Sequence, residues 1–240
     1  MKILLAPAET KREGGASPSL LNNKNLFFSC DKVIDAYENH LSRSSLDDIS
    51  TWFGLKNLDE CTKYKVSILN KPTKKAIERY DGVAYDAIDY PNLSENAQKF
   101  IDENVMIYSN LFGILRADDL IPDYKWKQGA ILPDLNTEKY FQANLKAKLD
   151  DYLGDEVLDL SAGYYTKFYK PTASVITYKF LKDGKVVSHF AKHYRGELVK
   201  QIAQQNITNF AELMTAKFDN LTLLEIQQKG NVKTIIMQIG

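Results

Sequence analysis

The sequence predicts an α+β protein, a mixed α/β fold in which peripheral helices surround a central mixed sheet. Three observations carry that expectation. Runs rich in β-branched and aromatic residues stand near residues 2–6, 156–160 and 174–191, far apart in the chain. Helical periodicity fills much of what lies between them. At 240 residues, with 44% hydrophobic and 26% charged residues, the chain can bury a sizeable core. Residues 1–240 read as a single compact domain, with residues 30–80 as a candidate helical subdomain.

Lys2–Ala6 is predicted to be a buried strand stopped by Pro7, and Thr10–Pro18 a glycine-rich polar loop. From Cys30 to Tyr80 the pattern is helical, with Val33, Ile34 and Tyr37 on one face and Ser45 with Asp48 as a capping box. Lys71-Pro72 punctuates this run and is expected to start a further helix. Ser94 opens a helix over Ala97–Glu103, and Thr137 opens one in which Phe141, Leu145, Leu149 and Leu153 form a stripe until Gly154. Val157–Leu160 reads as a strand. Val175–Leu181 and Lys185–Ala191 read as a hairpin about Lys182-Asp183-Gly184. Tyr194–Gln205 and Asn209–Lys217 are read as helices, and Leu221–Gln227 and Val232–Ile239 as strands about Gly230.

The formal net charge is zero, which argues against coating nucleic acid through bulk charge. The charges are nevertheless uneven. Asp81–Asp123 holds nine acidic residues against Lys99 and Arg116, whereas Ser161–Lys217 holds nine Lys or Arg against Asp183, Glu197 and Glu212. Two explanations stand open: mutual attraction across the fold, or the footprint of an anionic partner. No apolar run approaches the ~18 residues of a membrane span, and Met1–Pro7 is too short for a signal peptide. A cytoplasmic address is expected, away from any membrane, with Cys30 and Cys61 reduced and in the core.

The segment Tyr108–Gly129 passes from an apolar run through Gly113 and Arg116, past Asp118 and Asp119, to Tyr124, Lys125, Trp126 and Lys127. It is expected to run over the surface and present charge. His189 and His193 have zinc-like spacing, but the first is read on a strand and the second in the turn after it, so no metal site is assigned. No nucleophile triad or phosphate loop stands out. Catalytic residues and oligomeric state stay unassigned, and no cofactor is implied.

Tyr108–Gly129 also resembles the signature of the bacterial YaaA peroxide-stress family, roughly Tyr-Ser-Gly-Leu-Tyr-Gly-x-Leu-Arg-Pro-x-Asp-x-Ile-x-Pro-Tyr-Arg-x-x-x-Gly. Four more blocks are similar to that family, in its order along the chain: Ala6-Pro7-Ala8-Glu9-Thr10, Gly82-Val83-Ala84-Tyr85, Leu160–Lys167 (at Tyr165 and Lys167), and Phe190–Gly196. The sequence departs at Glu9, where lysine is usual, and at Asn110, Ala117, Asp123 and His193. The resemblance implies the family's fold, a contribution to peroxide tolerance, and binding of duplex or branched DNA through a basic groove and a helix-hairpin-helix. Leu111–Leu115 is the candidate for that hairpin, although Leu115 occupies a usual glycine position and Asp118 and Asp119 would repel phosphate.

Arg116, Lys125, Lys127, Lys167, Lys192 and Arg195 are the predicted phosphate contacts, with Lys170 a weaker one. Tyr124, Trp126, Tyr165, Tyr169 and Tyr194 interleave with them, a pattern that suits stacking beside phosphate but equally suits a core. The alternative function is an enzyme or binding protein for a small anionic substrate, in a pocket lined by Ser109, Arg116, Asp119, Tyr165, Lys192 and Arg195. Arg116 and Asp119 separate the two readings: either Asp119 holds Arg116 in a structural ion pair, which is the expectation, or Arg116 reaches phosphate freely and the aspartate only repels it.

Overall fold

Ile3, Leu4 and Leu5 are all buried, so the first strand, β1 (Lys2–Leu5), has no solvent face and belongs inside a sheet. In the computed structural model, which describes residues 1–19, 25–161 and 163–240, β1 is indeed central. It is followed by the short β2 (Thr10–Lys11) and then three helices, α1 (Asp31–Arg43), α2 (Leu46–Phe53) and α3 (Leu58–Tyr64). The Ser45 hydroxyl accepts from the Asp48 amide at 3.2 Å, the predicted cap of α2. Buried Tyr37, Phe53 and Tyr64 join these helices to the same apolar core as the sheet.

Lys71-Pro72 leads into a strand rather than a helix. β3 (Thr73–Lys75) pairs with a later strand, and Thr73 hydrogen-bonds Ser17 and Pro18, so its ladder partners decide the conformation. α4 (Ala76–Arg79), β4 (Tyr80–Asp81), α5 (Val83–Ile88) and α6 (Glu95–Asn104) follow. Then come β5 (Val105–Ser109), β6 (Gly113–Arg116) and β7 (Leu120–Pro122), the last being the partner of β3. Residues 105–115 are buried throughout, so the first half of the Tyr108–Gly129 segment lies in the core and not on the surface.

α7 (Thr137–Leu153), β8 (Glu156–Leu160), β9 (Ser174–Lys182) and β10 (Lys185–Val186) continue the chain. The hairpin's second arm is only those two residues. α8 (Ser188–Gln205) begins six residues before the expected start at Tyr194 and so takes in Phe190 and Ala191. Val186 is 61% exposed, so a longer arm would have had nothing to bury against. α9 (Phe210–Thr215), β11 (Leu221–Lys229) and β12 (Val232–Ile239) end the described chain.

The main sheet runs β11-β12-β9-β8-β1-β5-β6, with β10 attached to β9. Its five inner strands are parallel, and β6 and β11 are antiparallel edges. The chain places β5 on one side of β1 and later β8 on the other, which leaves a crevice at the carboxyl end of β1. This is a mixed sheet with peripheral helices, the predicted class. Among the described residues no helix is long and apolar enough to cross a membrane. Cys30 and Cys61 are free and buried.

Candidate functional site

Where β1 and β8 end, Leu5 and Leu160 form the floor of a cavity of about 400 Å³. Pro7 keeps the chain after β1 from continuing the ladder, because it has no N–H to donate, and the chain turns across the cavity mouth. Tyr85, Tyr124, Trp126 and Tyr165 supply aromatic walls, and Glu9, Lys11, Asp81, Asn110, Lys192 and Arg195 supply the polar groups. The size and the mixture suit a small ligand.

The walls are held from behind. The Tyr85 hydroxyl donates to the Ala6 carbonyl at 2.8 Å, tying α5 to the strand exit. The Ser109 hydroxyl accepts from the amides of Leu111 and Phe112 at 3.3 and 3.0 Å, which closes the turn between β5 and β6. With both lone pairs engaged it donates to Tyr124 at 2.9 Å, and the Tyr124 hydroxyl shares a further hydrogen bond with that of Tyr80 at 2.8 Å. Burial pushes the Tyr80 phenol up to about 12 and that of Tyr124 well above its usual value, so both act as neutral hydroxyls. Tyr165 stacks on Tyr108 with ring centres 5.1 Å apart.

α8 brings Lys192 and Arg195 to the cavity because Gly196 lets it press backbone to backbone against α5. A Cβ at Gly196 would lie 2.1 Å from the Ala84 carbonyl oxygen. Arg195 is partly buried, and that burial lowers its pKa against the pull of Asp159. Lys192 is exposed.

Lys11 is the least expected member. It is 6% exposed, and among the described residues its ammonium meets the carbonyls of Ala8 and Glu9, at 3.4 and 3.2 Å, and the faces of Tyr124 and Tyr80, at 4.0 and 5.5 Å. Burial, with Lys125 nearby, lowers its pKa to about 7. The two carboxylates of the lining are already engaged: Glu9 accepts from the Gln128 amide at 3.0 Å, and Asp81 pairs with Arg12 at 3.3 Å. Asn110 is 7% exposed, and its Oδ1 has no hydrogen-bond partner among the described residues.

Tyr165, Lys192 and Arg195 thus meet in one place, with Ser109 one hydrogen bond behind the wall. Arg116 and Asp119 do not join them. Arg116 faces Met106 across the β5–β6 ladder and sits beside Lys2 at the amino-terminal edge of the parallel strands. There it pairs with Asp119 at 2.7 Å, the expected structural ion pair. Lys125 lies near Lys11, exposed Lys127 runs over Gly54, and Lys167 pairs with Glu138 at 3.4 Å. Lys170 is exposed, whereas Tyr169 is buried and bonded to Asp150.

The helix-hairpin-helix expected at Leu111–Leu115 is instead the β5–β6 hairpin, and Leu111, Phe112, Ile114 and Leu115 are all fully buried, so phosphate cannot approach their amides. His189 and His193 both lie on α8, four residues apart, not on a strand and a turn. The His189 side chain is outside the described part. Exposed His193 packs edge-on against Tyr194.

Lys11, Asn110 and Tyr85 were not singled out from the sequence as site residues. Their signal was position: each stands in or one residue beyond a family-like block. All five blocks send residues to the cavity.

Comparison with known proteins bears on the family resemblance itself. The family model described as peroxide stress protein YaaA matches residues 1–227. An uncharacterized protein of Campylobacter jejuni is 41% identical over 244 residues, covering 100% of this chain and 99% of its own. A UPF0246 protein of Corynebacterium glutamicum is 34% identical over 85% of each chain, and one of Malacoplasma penetrans 27% identical over 96% of this chain and 97% of its own. The chain belongs to the YaaA peroxide stress protein family.

Proposed function

We propose that the cavity binds a small molecule bearing a phosphate or carboxylate, and that this binding serves the oxidative-stress role that family membership supports. One observation carries the reading: Lys11, Lys192 and Arg195 line a single cavity, and no carboxylate among the described residues forms an ion pair with any of them. Basic groups gathered without a carboxylate ion pair in a partly desolvated site are poised for an anion, since a charge-assisted hydrogen bond there contributes about 1.5–3 kcal/mol.

Calorimetric titration with inorganic phosphate and with small carboxylates tests this. The expected result is saturable binding by the wild-type protein, weakened at least about tenfold in Lys192→Gln/Arg195→Gln, which corresponds to about 1.4 kcal/mol. No saturable binding to either anion class overturns the reading.

A second reading, binding of duplex or branched DNA, is supported by Lys192 of the lining together with Lys125 and Lys127, which flank the lining residue Trp126 in the chain. Lys125, Lys127 and Lys192 have no pairing carboxylate among the described residues, and Lys127 and Lys192 are exposed. Its support is this set of cations, with no contribution from the β5–β6 turn. Charge reversal at Lys125 and Lys127 should weaken retention of all sequences alike and flatten the salt dependence by about one unit of slope per lost contact. A gel shift at low salt in which the wild-type protein retains neither duplex nor junction removes this reading.

A further inference from the structure

We propose that Lys11 is a nucleophilic amine that forms an imine with a carbonyl compound whose carboxylate or phosphate is held by Arg195 and Lys192. The inference rests on the anion-binding reading of the cavity and adds a covalent step to it.

Geometry carries the argument. A lysine that serves the fold normally keeps its ammonium in water or against a carboxylate. Lys11 has neither, although it lines the cavity at 6% exposure. Its Nζ lies over the face of Tyr124 and within 5.5 Å of the centre of the Tyr80 ring. Only two backbone carbonyls, on its own turn, reach it at hydrogen-bonding distance among the described residues. A desolvated amine in an aromatic pocket, next to other cations, is the arrangement that makes lysine a nucleophile at neutral pH.

The charged groups around it act in both directions. Lys125 and Arg79 disfavour the ammonium, while Asp123 and Glu9 favour it, and burial outweighs them all. The resulting pKa of about 7 leaves much of the amine neutral at pH 7. An ordinary lysine near 10.4 is neutral only about one part in a few thousand.

The step balances without an oxidant or reductant. The amine lone pair attacks the carbonyl carbon and forms the C–N bond. A proton leaves nitrogen and one reaches oxygen, giving a carbinolamine. Loss of water then breaks the C–O bond and leaves C=N. Arg195 and Lys192 would select carbonyl compounds that carry an anionic group, and the tyrosine walls exclude bulk water, which otherwise reverses the condensation.

The test uses pyruvate and glyceraldehyde 3-phosphate, one probe for each anion, with cyanoborohydride to trap any imine, followed by peptide mapping by mass spectrometry. At pH 7 the reduced adduct should form on Lys11 at least about tenfold faster than on exposed Lys99 or Lys170, with competition by inorganic phosphate. Lys11→Arg should lose the adduct yet still bind phosphate by calorimetry, which also verifies that the variant folds. Saturable anion binding by the wild-type protein with no preferential labelling of Lys11 overturns the imine and leaves the anion site standing. Absence of both labelling and anion binding overturns the imine and the anion site together.

Discussion

At the amino-terminal edge of the parallel strands, Asp119 is 1% exposed and accepts four hydrogen bonds: from the amides of Phe27 and Arg116 and from the Arg116 Nε and Nη2. At the carboxyl edge, Lys11 is almost as deeply buried but has no ion-pair partner among the described residues. Both edges hold a desolvated ionisable group. In one the fold supplies the compensating groups; in the other the compensation is incomplete, and the proposed anionic ligand would complete it. Charge burial alone therefore does not distinguish a structural residue from a functional one, whereas the state of its partners does.

The largest expected effect breaks the satisfied edge. Asp119→Ala strands two backbone amides, those of Phe27 and Arg116, while the Arg116 guanidinium keeps Asp118 and the Asn25 carbonyl; it should lower unfolding stability by about 2–4 kcal/mol, read from urea denaturation. A loss below about 1 kcal/mol would show that the pair is not structural. Next is Gly196→Ala, whose Cβ would overlap the Ala84 carbonyl and lie 2.8 Å from the Ala87 Cβ. It should cost about 1–3 kcal/mol, and because α8 must shift, anion binding should weaken with it. Unchanged stability and unchanged affinity together would mean that this contact does not set the position of Arg195.

Lys11→Met sharpens the comparison by sign. Replacing an unpaired buried amine with an apolar side chain of similar volume should leave stability at pH 7 unchanged or raised. The pKa of Lys11 is lowered in the folded protein, so the unfolded chain binds the proton more tightly. Wild-type stability should therefore rise relative to the methionine variant as pH climbs from about 7 toward the ordinary lysine value, and fall back as pH drops. Denaturation at pH 7 and pH 9.5 checks this, and a variant less stable at both would give Lys11 a structural role. The smallest effect belongs to exposed Lys127→Gln, within about 0.5 kcal/mol, with any change confined to DNA retention.

Much of the fold was legible where punctuation was local. Pro7 after β1, Gly154 after α7 and the turn at Gly230 stand where the elements stop. The β5–β6 hairpin was not legible, because residues 105–115 are buried on both faces and show no alternation. The start of α8 was missed for a different reason: Val187 precedes it and makes no side-chain cap, so the start carries no signal. At the site, Tyr165, Lys192 and Arg195 followed from a resemblance and do converge. Lys11 was invisible because its burial depends on Tyr124, which lies far along the chain and is brought near only by the sheet. The same distance hid the separation of Arg116 from Arg195, on opposite edges of one sheet.

The crossing of the chain from one side of β1 to the other has a consequence for synthesis. The cavity's lining begins at Leu5 and is complete only at Arg195. A nascent chain that has emerged through β9 carries Lys11, Asn110 and the aromatic walls, but not the helix bearing Lys192 and Arg195. The amine and its aromatic walls are translated first and Lys192 with Arg195 last, so a truncated product would retain the walls without those two cations, and the lining is complete only when α8 docks on α5.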